Sequence, residues 1–223
     1  LISGTADSIV FSCWDFAGQD IYYNTHQFFL SDRSIYLVGF NLEDEDESKS
    51  LARVEYWLQS INTRLPGVPI VIFGTHLESK KCTKDYLKAW EKKLTVRYKK
   101  RFKVIDIYFI SNETGKGIPE LLKGLKSIAK SKNFKKRLGI EEECPTSYLL
   151  LEERAHSLRV ERLVPTMSYE QWRIIAKQDT NFTDEEVKDA THYLHDLGSL
   201  VWFDEDGLRD VVILDAQWLT QVF

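Results

Sequence analysis

Residues Cys13–Asp20 read CWDFAGQD: a β-prone run, Ile9 to Trp14, passes straight into an acid, then Phe, Ala, Gly and a carboxamide, with no turn former before them. An acid at a strand's end followed three positions later by Gly places a carboxylate where it can hold Mg²⁺ through water. A Gly N–H at that point can approach a terminal phosphate with no Cβ in the way. Gln19 comes next, and a neutral amide orients an attacking water without having to titrate. Asp-x-x-Gly is also an ordinary turn, so the chain around Asp15, Gly18 and Gln19 has to decide between the two.

Outward from this stretch, apolar strand-like runs alternate with helical patterns, the mark of parallel βαβ construction. The strands expected are Ile9 to Trp14, Ser34 to Phe40, Val68 to Gly74 and Val104 to Ile110. Between them, helices are expected over Ser48 to Thr63, with Leu51, Val54, Leu58 and Ile61 at helical spacing, over Thr83 to Lys100, and over Ile118 to Lys130, with Pro119 in its first turn. Four runs apolar at nearly every residue predict an α/β fold with a sheet covered on both faces. Ligands of such sheets bind where the C-terminal ends of strands meet their loops.

Two of those ends carry polar groups. VPIVIFGTHLESK, Val68–Lys80, puts Thr75, His76, Leu77 and Glu78 after an apolar run, where an Asn-Lys-x-Asp guanine-reading motif would lie. A carboxylate at that point can accept both guanine N–H donors. YFISNETGKGIPEL, Tyr108–Leu121, ends its strand on Ser111 and Asn112, and Gly115 to Gly117 turn the chain into a helix. The GKG here is no phosphate loop, because no Gly stands five before Gly115 and no Ser or Thr follows Lys116.

Three elements in this order and spacing are far more specific than any one alone, and they resemble the switch and base-recognition motifs of a Ras-like GTPase. WDFAGQDIYYNTHQFFLSDRSIYLVGFNL (Trp14–Leu42) and GTHLE (Gly74–Glu78) are similar to the Roc domain of Roco proteins, the family that includes the leucine-rich-repeat kinases. YLLLEE (Tyr148–Glu153), ATHYLHDLGSLVWF (Ala190–Phe203) and VVILDAQWL (Val211–Leu219) resemble the COR domain that follows Roc. The resemblance implies a Ras-like P-loop GTPase domain over residues 1–135, here lacking its first strand and phosphate loop. A winged-helix-like α+β COR segment would follow over residues 140–223. It implies GTP or GDP with Mg²⁺ as cofactors: Asp15 for the metal, Gly18 for sensing the γ-phosphate, Gln19 as the catalytic, water-positioning residue. Thr75, His76, Glu78, Ser111 and Asn112 would serve the base. Implied partners are guanine nucleotide, other domains of a longer parent with or without a kinase domain, and a second copy through COR. Two departures stand against this. Gly-x-x-x-x-Gly-Lys-Ser/Thr does not occur in the 223 residues, so this chain alone is expected to bind nucleotide poorly, and Glu78 stands where the family pattern usually has Asp. The alternative is a degenerate GTPase fold used as a scaffold.

Composition sets the remaining bounds. With 223 residues, 43% of them hydrophobic, the chain can bury one large core or two smaller ones. Cys13, Cys82 and Cys144 are odd in number and far apart, which fits neither a disulfide framework nor a zinc site. No apolar run approaches the ~20 residues that cross a bilayer, and LISGTADS is no signal peptide, so a cytoplasmic location is expected. A first residue of Leu and an end in DAQWLTQVF suggest a piece of something longer. Net charge is −4 but unevenly spread: Lys80 to Lys103 holds eleven basic residues against two acids, and Thr166 to Phe223 four against twelve. NFKKRLGIEEECP, Asn133–Pro145, marks the boundary between the two.

The second part predicts helices over Thr146 to Glu161, Tyr169 to Gln178 and Asp184 to Leu197, the last capped by Thr183 with Glu186. SLVWFDEDGLRDVVIL then predicts a hairpin about an Asp-Gly turn. Its acid excess argues against DNA, since phosphate contacts dominate nucleic-acid affinity. Leu194, Leu197, Leu200, Trp202, Val212, Leu214 and Trp218 are expected in its core and its contact with the first part. The basic helix is open to an anionic membrane surface or an acidic partner, against the plainer reading of a solvated face. His192 and His195 share a helical face, with packing favoured over metal binding, and His26 serves nucleotide, partner or packing.

Overall fold

In a computed structural model of the chain, residues 9, 11, 13–15, 30–140 and 144–218 are described. They form two compact units, Asp32–Glu141 and a second that joins Glu142–Phe223 with the residues before Asp32.

The first unit runs β1 (Tyr36–Asn41), α1 (Glu47–Arg64), β2 (Ile70–Thr75), α2 (Lys84–Leu94), β3 (Val104–Phe109) and α3 (Ile118–Lys130). The sheet is parallel in the order β1-β2-β3, in register from Tyr36 against Ile70 to Asn41 against Thr75. The central strand β2 buries Ile70, Val71 and Ile72 in succession, as a strand covered on both faces must. On the edge strand β1, Tyr36, Val38 and Phe40 are buried while Leu37 is 42% exposed. Among the described residues, full cover on both faces therefore holds for β2 and not for β1.

The expected strand Ile9 to Trp14 is corrected at the residues that are described, while residues 10 and 12 lie outside them. The described residues 9, 11, 13 and 14 lie in no strand, and Phe11 and Trp14 are exposed. Strand propensity is mostly the fit of a side chain to a pleated, half-buried surface. That surface needs a hydrogen-bonded neighbour, and β1 pairs with β2 alone among the described residues.

Helix α1 starts where the Asp46 carboxylate accepts from the amides of Ser48 and Lys49, and it buries Leu51, Val54, Leu58 and Ile61. Helix α2 passes into a π-helical turn, Thr95–Lys99. Its buried residues Trp90, Leu94 and Tyr98 are four apart. An α-helix rotates such positions by about 40° per step, and one widened turn returns Tyr98 to the core side. There its hydroxyl donates to Leu51 O at 3.1 Å. Of the basic residues in this stretch, Lys93 pairs with Glu47, and Arg97 and Arg101 both grip Glu55. Those three charges are used inside the unit.

The second unit runs α4 (Thr146–Glu161), β4 (Thr166–Ser168), α5 (Tyr169–Thr180), α6 (Asp184–Asp196) and β5 (Val211–Ile213). Strands β4 and β5 are antiparallel, and Val201 bridges Ile213 as a single residue. This corrects the expected hairpin. The partner of β5 is β4, a three-residue strand too short to show periodicity, and the strand before the Asp-Gly turn shrinks to Val201. Trp202 explains the shortening: its N–H donates to His195 Nδ1 at 3.3 Å and its indole N–H to Arg209 O at 2.7 Å, away from any ladder. Helix, strand, two helices and a short sheet make the unit winged-helix-like.

Its core packs Leu151, Trp172, Leu194, Leu200, Val212 and Leu214 together. Leu197 and Trp218, expected there too, are only half-buried. The Trp172 indole donates to Thr191 Oγ1 at 2.8 Å, and that hydroxyl donates to Val187 O at 2.6 Å, so both buried polar groups are satisfied. Thr183 and Glu186 form the expected capping box, and Ser168 with Gln171 forms a second.

His192 stands edge-on to Trp202 and His195 to Phe203. Burial holds His195 below the usual histidine range, with His192 adding to the shift and Asp196 opposing it. A histidine kept neutral in the fold stabilises it above its unfolded pKa of about 6.5, and that contribution is lost as pH falls through the folded value. Thermal unfolding of this unit is therefore expected to drop more steeply below about pH 6.5 in the wild type than in His195→Gln. Equal slopes would remove His195 as the cause.

Candidate nucleotide-binding loops

The C-terminal ends of β2 and β3 are laced into one platform. Ile110 N–H donates to Gly74 O at 2.8 Å, and Leu77 N–H returns to Ile110 O at 3.0 Å. The chain leaves β2 through His76, whose φ of 62° turns it out of strand geometry. His76 O then receives Ser79 N–H at 3.0 Å and the Cys82 thiol at 3.5 Å, closing the loop. Thr75 Oγ1 donates to Phe40 O at 3.2 Å and lies 3.0 Å from His76 Nδ1.

Ser111 is fully buried at the head of the second loop. Its N–H donates to Lys116 O at 2.9 Å, its carbonyl accepts Gly115 N–H at 3.0 Å, and its Oγ accepts Thr114 N–H at 3.0 Å. The nearby Ser111 hydroxyl above all, then the Glu78 backbone amide and His76, hold the Glu78 carboxyl below the usual carboxylate range. Glu78 is thus an exposed, ionised acceptor whose direction is set by a buried hydroxyl on the neighbouring loop. Asn112, next to it, is exposed.

The structure therefore brings Thr75, His76, Glu78, Ser111 and Asn112 together at one end of the sheet. Asp15 is exposed and belongs to the second unit. Gly18, Gln19 and His26 lie outside the described residues. Sequence reasoning missed two features of the loops. One is the Ser111 to Glu78 contact. The other is how closely Gly117, read only as part of the turn into the helix, packs: its φ is +82° and a Cβ would lie 2.1 Å from Phe109 O. The signal for it was present in a Gly two residues before a helix-starting Pro.

Two family models match the chain: Roc, the Ras of Complex domain of DAPkinase, over residues 2–78, and COR-A, the C-terminal of Roc domain, over residues 145–223. The probable serine/threonine-protein kinase pats1 of Dictyostelium discoideum is 41% identical over 214 residues, 95% of this chain and 6% of that protein. Leucine-rich repeat serine/threonine-protein kinase 1 of Caenorhabditis elegans is 31% identical over 234 residues, again 95% of this chain and 10% of the relative. The chain thus spans a tenth or less of the length of these relatives. The solved RocCORdC structure of Methanosarcina barkeri Roco2, bound to GDP, superposes with a TM-score of 0.67 at 23% identity, covering 93% of this chain and 58% of that one. The fold is that of a Ras-like Roc domain followed by the start of COR. With both signatures present in that order, the chain belongs to the Roco family.

Proposed function

We propose that the chain is the Roc–COR part of a larger cytoplasmic signalling protein and serves it as a GTP-binding, GTP-hydrolysing switch, with Roc over residues 1–135 and COR over 140–223. One observation carries this: an ionised Glu78, aimed by buried Ser111, on a platform of two loops at the strand ends. Such a carboxylate accepts the N1–H and exocyclic N–H of guanine together, and adenine offers no matching pair of donors. Thr75 and His76 brace that loop, and Asn112 lies beside the base. Asp15 would hold Mg²⁺, which would offset the charge of the phosphates, while Gly18 would meet the γ-phosphate and Gln19 would orient the attacking water. The GDP held by the Methanosarcina relative supports a guanine nucleotide here. A second copy through COR and the neighbouring domains of the parent are the protein partners.

A catalytically degenerate scaffold is the second reading. It is favoured by Glu78 itself, since its carboxylate already has the Ser111 hydroxyl nearby and is one methylene longer than Asp.

Calorimetric titration of the intact parent protein with GDP and ADP, for wild type and Glu78→Ala, separates the two. Charge-assisted hydrogen bonds are worth about 1.5–3 kcal/mol each, so the variant is expected to lose roughly tenfold or more of its preference for GDP while ADP binding stays the same. An unchanged preference would take Glu78 out of the base site, and a wild type that binds neither nucleotide would favour the scaffold.

A further inference from the structure

Helix α6 ends in a complete Schellman turn. Gly198 N–H donates to His195 O at 2.8 Å and Ser199 N–H to Leu194 O at 2.9 Å, with Gly198 at φ +75°. Leu197 N–H takes Tyr193 O at 3.0 Å. The carbonyl of Asp196 is one of the terminal acceptors that a helix leaves to outside donors, and Ser31 Oγ donates to it at 3.1 Å. The other side of the turn is covered by Trp14. A Cβ built on Gly198 would lie 2.4 Å from Trp14 Cζ2 and 2.9 Å from Cε2, so the indole rests directly on the bare glycine. Trp14 immediately precedes Asp15, and Ser31 stands beyond Gly18 and Gln19. Both residues flanking the proposed switch segment thus meet a single helix terminus of the second unit.

The Schellman turn needs a glycine whether or not Trp14 is present, so Gly198 by itself proves little. What the turn does not need is an indole on one side and a foreign hydroxyl on its spare carbonyl. We infer that the corner Asp196–Gly198 is the dock through which COR reads the switch segment, with Trp14 and Ser31 as its two anchors. The inference rests on the GTPase reading given above. A displacement of either anchor bears on the end of α6, whose last turn holds Leu194 of the core and His195, whose Nδ1 accepts the Trp202 N–H. Linkage makes the effect reciprocal: loosening the dock changes the ratio of GDP to GTP affinity by the factor with which nucleotide changes the dock.

The test uses the intact parent protein and the hydrogen exchange of amides 194–202, with no nucleotide, with GDP and with a non-hydrolysable GTP analogue. Wild type is expected to exchange these amides at rates differing by roughly fivefold or more between the two nucleotides, the lower end of usual coupling. Trp14→Ala combined with Ser31→Ala is expected to bind nucleotide still and to lose that difference. Leu163→Ala, on the open surface of the same unit, is expected to keep it. A difference that survives in the double variant, or is missing from a nucleotide-bound wild type, overturns the inference. If wild type binds no nucleotide, the reading beneath it fails and the coupling with it. The nucleotide-free protein still tests the dock, since exchange at 194–202 that does not quicken in Trp14→Ala shows that the indole anchors nothing.

Discussion

Gly117→Ala is expected to lower the stability of the Asp32–Glu141 unit by about 2–5 kcal/mol and to abolish tight nucleotide binding by the parent. Two costs combine. The backbone at Gly117 is left-handed, which an L side chain adopts at about 1–2 kcal/mol. The new Cβ would also lie 2.1 Å from Phe109 O, and that carbonyl is backbone at the end of β3, unable to swing aside as a side chain does. Relief requires the turn to shift, and the turn holds Ser111 through its bonds to Lys116 and Gly115. Moving Ser111 releases the hydroxyl that aims Glu78. Chemical denaturation of the variant, with a GDP titration beside it, checks both effects. A loss under about 0.5 kcal/mol would show that the turn has more room than its geometry indicates.

The second large effect concerns chemistry rather than folding. Gln19→Leu in the parent is expected to slow GTP hydrolysis by about 10²-fold or more while leaving the Kd for GTP nearly unchanged, because the amide is proposed to touch only the attacking water. Leucine keeps much of the volume and loses both the donor and the acceptor. Single-turnover phosphate release against nucleotide binding measures the two separately. Equal rates in variant and wild type would take water positioning away from Gln19, and a parallel loss of binding would make it a binding residue instead.

How much of this was legible in the sequence depends on how local each cause is. Helices Ile118–Lys130 and Thr146–Glu161 lie where the pattern put them, because Pro119, the apolar spacing and the start after Pro145 are all local signals. The capping box of Thr183 and Glu186 was legible for the same reason. Within Ile9 to Trp14 the described residues 9, 11, 13 and 14 form no strand, because a strand is made by its neighbour and β-prone residues say nothing of whether one is there. The π-helical turn was invisible because it serves three buried residues four apart, an arrangement that a 3.6-residue period hides. Strand Thr166–Ser168 offered three residues, and the shortened hairpin depended on Trp202 reaching back to His195.

The site divides along the same line. Thr75, His76, Glu78, Ser111 and Asn112 could be grouped because parallel strands bring successive C-terminal ends to one edge. The contact that aims Glu78 could not be foreseen, since it joins residues 33 apart through a buried hydroxyl that reads as any other serine. Gly117 shows its importance only when Phe109 O is seen against it.

The central claim is that the loops after β2 and β3 form one guanine-binding platform, and a hydrogen-exchange footprint of the intact parent tests it most directly. Adding GDP is expected to slow exchange in 74–79 and 110–117 together and to leave 84–94 of helix α2 unchanged. Saturating GDP with no added protection in either loop would contradict the account.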